Sequence, residues 1–135
     1  MRKMLLLVAL VMATLQISAA DIHVSAAKSM AQQFMMGRMS KQGINATVPV
    51  IKSVHQELNS SNASKAAYYV INTDRGFVVV AGDDRAQEIL AFGEGELNMN
   101  KLPENMKFWL DSYKGQVEYL QAHPGLVVEK PQMRA

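Results

Sequence analysis

The stretch that decides the fold is AYYVINTDRGFVVVAGDDRAQEILAF, residues 67–92. Its two β-rich runs, residues 67–71 and 77–81, are joined by polar residues and glycine and predict a β-hairpin. Residues 82–85 have turn chemistry, and residues 88–92 then predict a third strand of an antiparallel meander. Because both hairpin runs are apolar at consecutive positions, we expect the sheet to be covered on both faces or nearly so.

A helix is predicted on the N-terminal side of the meander. Ser25 can cap a helix that runs to about Met36 and ends near Gly37. Its apolar residues fall on two adjacent helical lines, Ala26, Met30 and Phe34 beside Ala27, Ala31 and Met35. Such a stripe also occurs in membrane-surface or partner helices, but its basic face is thin, which favours packing against a core.

A second helix is predicted on the C-terminal side. Pro103 suits its first turn, and Pro124 ends its pattern. Its apolar stripe consists of Met106, Trp109, Leu110, Tyr113, Val117 and Leu120. We therefore assign Trp109 and Tyr113 to the core.

Weaker patterns complete the predicted fold. A further strand is expected near residues 50–54, and residues 59–64 and 93–101 are expected to be polar loops. The result is an α+β domain: an N-terminal helix, an antiparallel meander of three to four strands, and a C-terminal helix packed on the sheet.

Residues 1–20 have the three parts of a secretory signal peptide. These parts are the basic Arg2 and Lys3, the apolar run 4–13, and the small residues Ser18, Ala19 and Ala20. The apolar run is shorter than the roughly 18–20 residues that span a bilayer, and no cysteine follows that could carry a lipid anchor. We therefore expect a secreted or periplasmic protein without a membrane attachment. It forms one domain at residues 21–135, with its core at about 25–121 and a tail at 124–135.

The composition excludes several classes of function. The chain has 135 residues, of which 49% are hydrophobic and 19% charged, and it has no cysteine. It therefore has no disulfide framework, thiolate metal site or cysteine nucleophile. Without Arg2 and Lys3, the 14 basic residues become 12 against 12 acidic ones. This balance gives no electrostatic footprint for nucleic acid or an anionic membrane.

No set of residues has the pattern of a catalytic or metal site. The three histidines lie far apart, and none pairs with a second ligand type at helical spacing. Asp83-Asp84 lacks the alternating oxygen ligands of a calcium loop and fits a plain turn. Gly93-Glu94-Gly95 is not a phosphate loop, and no serine lies in a nucleophile elbow. We expect no enzyme activity, metal or cofactor. The chain is expected to be a binding protein or a fragment of a larger protein.

Two blocks of sequence stand in order along the chain. The first, within residues 68–92, reads Tyr-Tyr-Val-Ile-Asn, then Gly-Phe-Val-Val-Val-Ala-Gly-Asp-Asp-Arg, then Glu-Ile-Leu-Ala-Phe. The second is Pro103-Glu104-Asn105-Met106, then Phe108-Trp109-Leu110, Tyr113 and Gln116-Val117-Glu118-Tyr119-Leu120. Together they resemble the propeptide of streptopain-type cysteine peptidases over residues 25–121.

The resemblance implies an inhibitor. The peptidase proenzymes continue into a papain-like catalytic domain that this chain lacks, so the chain is similar to the stand-alone propeptide-like inhibitors of the group. Such a domain lies over the cleft of the mature enzyme and excludes substrate. In the zymogens an asparagine at the start of the last propeptide helix points into the cleft, and Asn105 is the matching position. A plain helix-capping role is the alternative for Asn105.

Further peptidase contacts are expected in the loop before this helix. This loop has no apolar periodicity of its own. The expected contacts are Asn98, Met99, Asn100, Lys101 and Leu102. Which of Met99, Leu102 and Met106 would fill an apolar specificity pocket stays open. Gly76, Gly82 and residues 83–85 are expected to determine the fold rather than to contact a partner.

Two other functions fit the same residues. The domain could be a folding assistant or a truncated proenzyme remnant, which would change the refolding yield of the cognate peptidase. It could also be an extracellular adhesion or ligand-binding module that shares the sheet. A pull-down that recovers a glycan or host protein but no peptidase would favour that function.

Overall fold

The computed structural model describes residues 21–128 and has two helices with a four-stranded sheet between them. The elements are α1 (Val24–Lys41), β1 (Ile51–Leu58), β2 (Ala66–Thr73), β3 (Gly76–Ala81), β4 (Ile89–Gly93) and α2 (Glu104–Ala122). The strands lie in the order β1-β2-β3-β4, each antiparallel to its neighbour. The predicted α+β class is confirmed. The expected signal peptide and the end of the expected tail, residues 129–135, lie outside the described residues.

The hairpin of β2 and β3 has a tighter turn than predicted. Thr73 pairs with Gly76, so only Asp74-Arg75 connects the strands, instead of the whole of residues 72–76. Gly76 has a φ of 131°, and a Cβ built on it would lie 2.3 Å from the carbonyl oxygen of Gly93. Both the backbone conformation and the space therefore require glycine at this position.

Side chains of β2 and β3 alternate between two hydrophobic cores, one on each face of the sheet. The first core contains Ile22, Ala27, Ala31, Met35, Ala66, Tyr69, Ile71, Val78 and Val80. The second contains Ala67, Tyr68, Val70, Phe77, Val79, Leu97 and Leu110. Helix α1 covers the first core, and Leu110 of α2 covers the second. All residues of both strands are buried, as the consecutive apolar runs predict.

The start of α1 and its buried face differ from the prediction. The helix begins at Val24 with His23 as N-cap residue, and no side chain caps it, so the prediction of Ser25 as the N-cap is wrong. The buried residues are Ala27, Ala31, Met35 and Met39. The neighbouring line points further outward, because Ala26 is exposed while Met30 and Phe34 are half-buried. The two alanines of the buried line, Ala27 and Ala31, leave room for the first half of the helix to lie close to the sheet.

The end of α1 also lies beyond the predicted glycine. Gly37 lies within the helix and faces open space, so the helix continues through this glycine. The helix ends before Gly43, which has a φ of 75°. There the N–H of Gly43 donates to Ser40 O at 3.1 Å, and the N–H of Ile44 donates to Met39 O at 2.9 Å. This is a Schellman motif, in which the left-handed glycine ends the helix.

The edge strand β1 is longer than the predicted strand near residues 50–54. Its second half, residues 55–58, is polar except for Leu58 and pairs with β2, so tertiary pairing decides its structure where periodicity is absent. The next segment, residues 59–64, is a loop, as predicted. Its conformation is set by Asn59, whose Oδ1 accepts hydrogen bonds from two backbone N–H groups of the loop, at 2.8 and 3.1 Å.

Helix α2 packs on the sheet by a narrow line and exposes the tryptophan assigned to the core. Its buried residues are Leu110, Val117 and Gln121. Trp109 is 54% exposed and Tyr113 is half-buried, so the core assignment is wrong for Trp109. One residue corresponds to roughly 100° of helix rotation, which places Trp109 well away from the sheet when its neighbour Leu110 faces it.

The turn after β3 ties the sheet to the end of α2. Asp83 is 2% exposed and accepts hydrogen bonds from the Arg85 guanidinium at 2.9 and 3.0 Å. The guanidinium also donates to the carbonyl oxygens of Leu120, His123 and Leu126. These carbonyls lie at and beyond the end of the helix, where the regular helical N–H donors run out. Those of Leu120 and His123 also accept the N–H groups of His123 and Leu126 at 3.0 Å. The turn thus has the structural role expected from the sequence.

Gly82 is required by close packing at the same turn. A Cβ on this residue would lie 1.9 Å from the carbonyl oxygen of Ala66. The Gly82 N–H donates to Ala67 O at 2.9 Å, and the Gly82 carbonyl accepts from the Ile22 N–H at 2.9 Å. The chain before α1 is therefore joined to the sheet through this glycine.

Candidate functional site

The loop between β4 and α2 begins at a fixed point, Leu97. Its N–H donates to Asn72 Oδ1 at 2.8 Å, and its carbonyl oxygen accepts from Asn72 Nδ2 at 3.2 Å. Both residues are buried. Asn72 Nδ2 also donates to Ser53 Oγ of β1 at 3.1 Å. The loop is thus attached to β2, a central strand of the sheet.

A compact turn follows this attachment. Asn98 Oδ1 accepts from the N–H of Asn100 at 2.9 Å, and the Asn98 carbonyl accepts from the N–H of Lys101 at 3.1 Å. An asparagine side chain that bonds the backbone two residues on is a common device for closing turns. The expected contact loop therefore has a defined conformation of its own.

The apolar residues of the loop point inward. Met99 and Leu102 are half-buried and pack against the second core, as does Met106 in the first turn of α2. Asn98, Asn100 and Lys101 are exposed. The loop is consequently held on the domain by its apolar side chains and presents polar side chains to the outside. None of the three apolar residues is free to fill a partner's pocket without leaving the core.

Asn105 is exposed and lies in the first turn of its helix, after the N-cap position. The N-cap residue of α2 is Pro103, with φ −58° and ψ 146°, and no side chain caps the helix. Pro103 thus stands one position before the first helical turn predicted for it. Asn105 Oδ1 accepts from the adjacent Met106 N–H at 2.9 Å. Within the described part of the chain, its Nδ2 group donates to no other residue, so the amide is available to a partner.

Four residues of the sequence-predicted set are polar and exposed, on the loop and on the first turn of α2 that follows it. They are Asn98, Asn100, Lys101 and Asn105. Glu104 lies beside them in the first turn of α2, where the positive end of the helix dipole favours an acid. This polar cluster offers amide donors and acceptors and one ammonium group. It is suited to binding by hydrogen bonds.

Two exposed aromatic residues of α2 were missed from the sequence, because Trp109 was assigned to the core and Phe108 was given no contact role. Phe108 is 65% and Trp109 is 54% exposed. They follow Asn105 by three and four positions and therefore share its side of the helix. The charged residues of α2 lie on the side of the helix opposite Trp109, so amphipathicity alone would place this ring in the core.

A groove of about 1230 Å³ lies beside β4. Its apolar lining comes from α1, β4 and α2 and includes Phe34, Ile89, Leu90, Phe92, Tyr113 and Leu120. The Arg38 guanidinium lies over the Phe92 ring at 4.2 Å. None of the sequence-predicted contact residues lines this groove, so it is separate from the polar cluster.

Neither a metal centre nor a membrane-spanning helix is found among residues 21–128. No three His, Asp or Glu side chains in that range are grouped so that they could hold a metal ion. No helix in the same range is long and apolar enough to cross a membrane. His55 Nε2 instead lies 2.9 Å from Glu57 Oε1, and His123 Nδ1 lies 2.7 Å from Tyr119 O.

Comparison with known proteins connects this geometry to a family. The family model described as Spi protease inhibitor matches residues 19–117. The match includes α1, the whole sheet, the polar cluster and most of α2. No curated protein and no solved structure matches the chain.

Proposed function

The chain belongs to the Spi protease inhibitor family, and on that basis we propose that it inhibits a streptopain-like cysteine peptidase in the manner of a propeptide. The family gives the general role, a protease inhibitor. The resemblance to streptopain-type propeptides supports the finer identity of the target. Residues 98–102 and Asn105 are proposed as the peptidase contacts.

The observation that carries the proposal is the exposed polar cluster on a firmly attached loop. Its backbone is fixed by Asn72, by the turn at Asn98, and by the packing of Met99 and Leu102. A loop that is already ordered loses little conformational entropy on binding, which strengthens an inhibitor. It also resists adopting the extended form that a peptidase cleaves.

The proposed inhibition needs no chemistry from the inhibitor. The domain lies over the cleft, and the cluster occupies the space that a substrate backbone would take. The Asn105 amide has one donor group free and is presented from the start of a rigid helix. It can bond polar groups of the catalytic pair and leave them without access to substrate.

We also propose that the protein is exported and cleaved between Ala20 and Asp21, leaving one domain at residues 21–135. Two observations support this. The family match begins at residue 19. The residues just after the proposed cleavage site belong to the fold, because Asp21 forms a bridge with Asp83 and Ile22 is buried. The intact mass of the exported protein tests the proposal: a mass that includes residues 1–20 would contradict it.

The experiment that tests the inhibitor function uses purified residues 21–135 and an active streptopain-like peptidase. We expect competitive inhibition and recovery of the inhibitor at its intact mass. The complex should also slow alkylation of the catalytic cysteine by iodoacetamide, because the cleft is covered. A serine peptidase serves as the control and should remain active.

Two results would contradict the proposal. Full peptidase activity at micromolar inhibitor would exclude the function itself. Inhibition with unchanged alkylation would place the contact away from the cleft and exclude the propeptide-like mode. A higher refolding yield of the peptidase without inhibition of the mature enzyme would assign the domain to folding assistance.

A further inference from the structure

Helix α2 has two exposed faces of opposite character. Its charged residues recur at spacings of three and four and form one stripe, Glu104, Lys107, Asp111, Lys114 and Glu118. Another face carries no charge and consists of Asn105, Phe108, Trp109, Ser112, Gln116 and Tyr119. We call this set the aromatic face. Five of its six members are exposed, and Ser112 is half-buried.

The charged stripe already has partners within the domain. Lys114 Nζ lies 2.8 Å from Glu57 Oε2 of β1. Glu118 Oε2 accepts the backbone N–H of Ser60 at 2.6 Å. These contacts orient the helix so that its charges lie toward β1 and the following loop. The aromatic face is left pointing outward.

The aromatic face is an ordered surface. The rings of Phe108 and Trp109 meet edge to face with centroids 5.8 Å apart, and Trp109 stacks on Tyr113 at 6.3 Å. Exposed tryptophan and tyrosine on a rigid support are the residues that most often dominate the binding energy of protein interfaces. Serine, asparagine and glutamine among them add adaptable hydrogen bonds.

We propose that the aromatic face is a second docking surface for the target peptidase and binds an uncharged, apolar patch beside its cleft. This inference rests on the proposed function. Asn105 belongs to both the polar cluster and the aromatic face, with Phe108 and Trp109 one turn further along. An enzyme in contact with Asn105 is therefore within reach of both rings. The cluster blocks the cleft, and the aromatic face supplies much of the affinity.

The absence of charge on the aromatic face defines the chemistry of the partner. A charged partner surface would lose hydration on contact and gain no opposite charge in return. An apolar patch loses little hydration and gains the burial of two aromatic rings. Binding through this face should therefore depend only weakly on salt concentration.

The test compares Trp109→Ala and Phe108→Ala with Asp111→Ala, an exposed variant on the charged stripe. The inhibition constant and the dissociation rate of the peptidase complex are measured for each, together with the urea midpoint. We expect the Trp109 variant to bind about 30-fold or more weakly, mainly through faster dissociation. The Asp111 variant should bind like the unmodified protein. All three midpoints should lie close to that of the unmodified protein.

Three outcomes would overturn the inference. Unchanged inhibition by both aromatic variants would exclude the face from the interface while leaving the proposed function intact. Weaker inhibition with a matching loss of stability would assign the rings to the fold. A concentration-dependent dimer in sedimentation, abolished by Trp109→Ala, would assign the face to a second copy of the chain. If the unmodified protein does not inhibit the peptidase, the proposed function itself fails.

Discussion

The side chain of Asn72 holds both backbone polar groups of Leu97. The Leu97 N–H donates to Asn72 Oδ1 at 2.8 Å, and Asn72 Nδ2 donates to the Leu97 carbonyl at 3.2 Å. The two hydrogen bonds resemble those between neighbouring strands of a sheet. Here they join a central strand to a loop residue 25 positions later in the sequence. It positions the polar cluster over the second core.

Asn72→Ala should destabilise the domain and weaken inhibition. The substitution leaves two buried backbone groups of Leu97 without partners, each at a cost of about 1–3 kcal/mol. It also frees the loop to move away from β2. We expect a lower urea midpoint and an inhibition constant that rises even under conditions where the variant is fully folded. Asn62→Ala, which removes an exposed asparagine, is the control, and an equal effect of both variants would refute the role of Asn72.

The pair of Asp83 and Arg85 predicts how stability depends on pH. Burial by itself raises the pKa of Asp83, but hydrogen bonds from the Arg85 side chain and backbone hold it below its usual value. A carboxylate with a lowered pKa stabilises the fold above its unfolded pKa of about 3.9. This contribution is lost as the pH falls through the lower pKa of the folded state.

Asp83→Asn should therefore weaken the loss of stability as the pH is lowered, which is the acid limb of the curve of stability against pH. At neutral pH the variant should be destabilised by about 1–3 kcal/mol, because the Arg85 guanidinium loses its charged hydrogen-bond partner. Urea midpoints measured from pH 7 to pH 3 test this. Asp111→Asn, on the exposed charged stripe, should leave the curve unchanged. An acid limb that keeps its slope in Asp83→Asn would show that other carboxylates cause it.

Leu110 and Trp109, adjacent in sequence, should differ sharply in their effects on stability. Leu110 is 1% exposed and packs in the second core, so Leu110→Ala should cost about 2–5 kcal/mol. Trp109→Ala removes a mostly exposed ring and should cost less than about 1 kcal/mol. Urea unfolding of the two variants makes the comparison. Equal losses would return Trp109 to the core.

The hairpin and the two helices could be predicted because their signals are local. The β-branched runs around residues 72–76 give strands on both sides of a turn, and the apolar periods give the helices. The ends were less predictable. Gly37 and Gly43 look alike in sequence, but only Gly43 adopts the left-handed conformation that ends α1. That choice depends on where the chain must leave the helix to reach β1.

The face of α2 could not be assigned from its apolar residues alone. An apolar stripe that includes Trp109 and Leu110 covers a wider arc than the sheet can bury. The ion pair of Lys114 with Glu57 helps fix the rotation of the helix, and β1 supplies Glu57 from far away in sequence. Contacts of this kind, like that of Asn72 with Leu97, join residues whose local patterns give no sign of each other.

The candidate site was predicted in its location but not in its construction. The sequence places the contacts at residues 98–102 and Asn105. The structure divides the loop into inward Met99 and Leu102 and outward polar residues. Pro103, not Asn105, is the N-cap residue of α2. The Asn105 Oδ1 nevertheless accepts the Met106 N–H of the first turn at 2.9 Å, so the helix-start role of this residue stands beside the proposed cleft contact.

The decisive measurement is the inhibition constant of Asn105→Ala against a streptopain-like peptidase, together with the urea midpoint of the same variant. Asn62→Ala, in the loop near the other end of α2, is the matched control. We expect inhibition to weaken by roughly 5- to 150-fold, because polar groups in the cleft lose their partner at a cost of about 1–3 kcal/mol. The midpoint should fall only slightly, since Asn105 is exposed and its side chain makes one local hydrogen bond, to the Met106 N–H. An unchanged inhibition constant in a fully folded Asn105→Ala would contradict the claim that this residue enters the cleft.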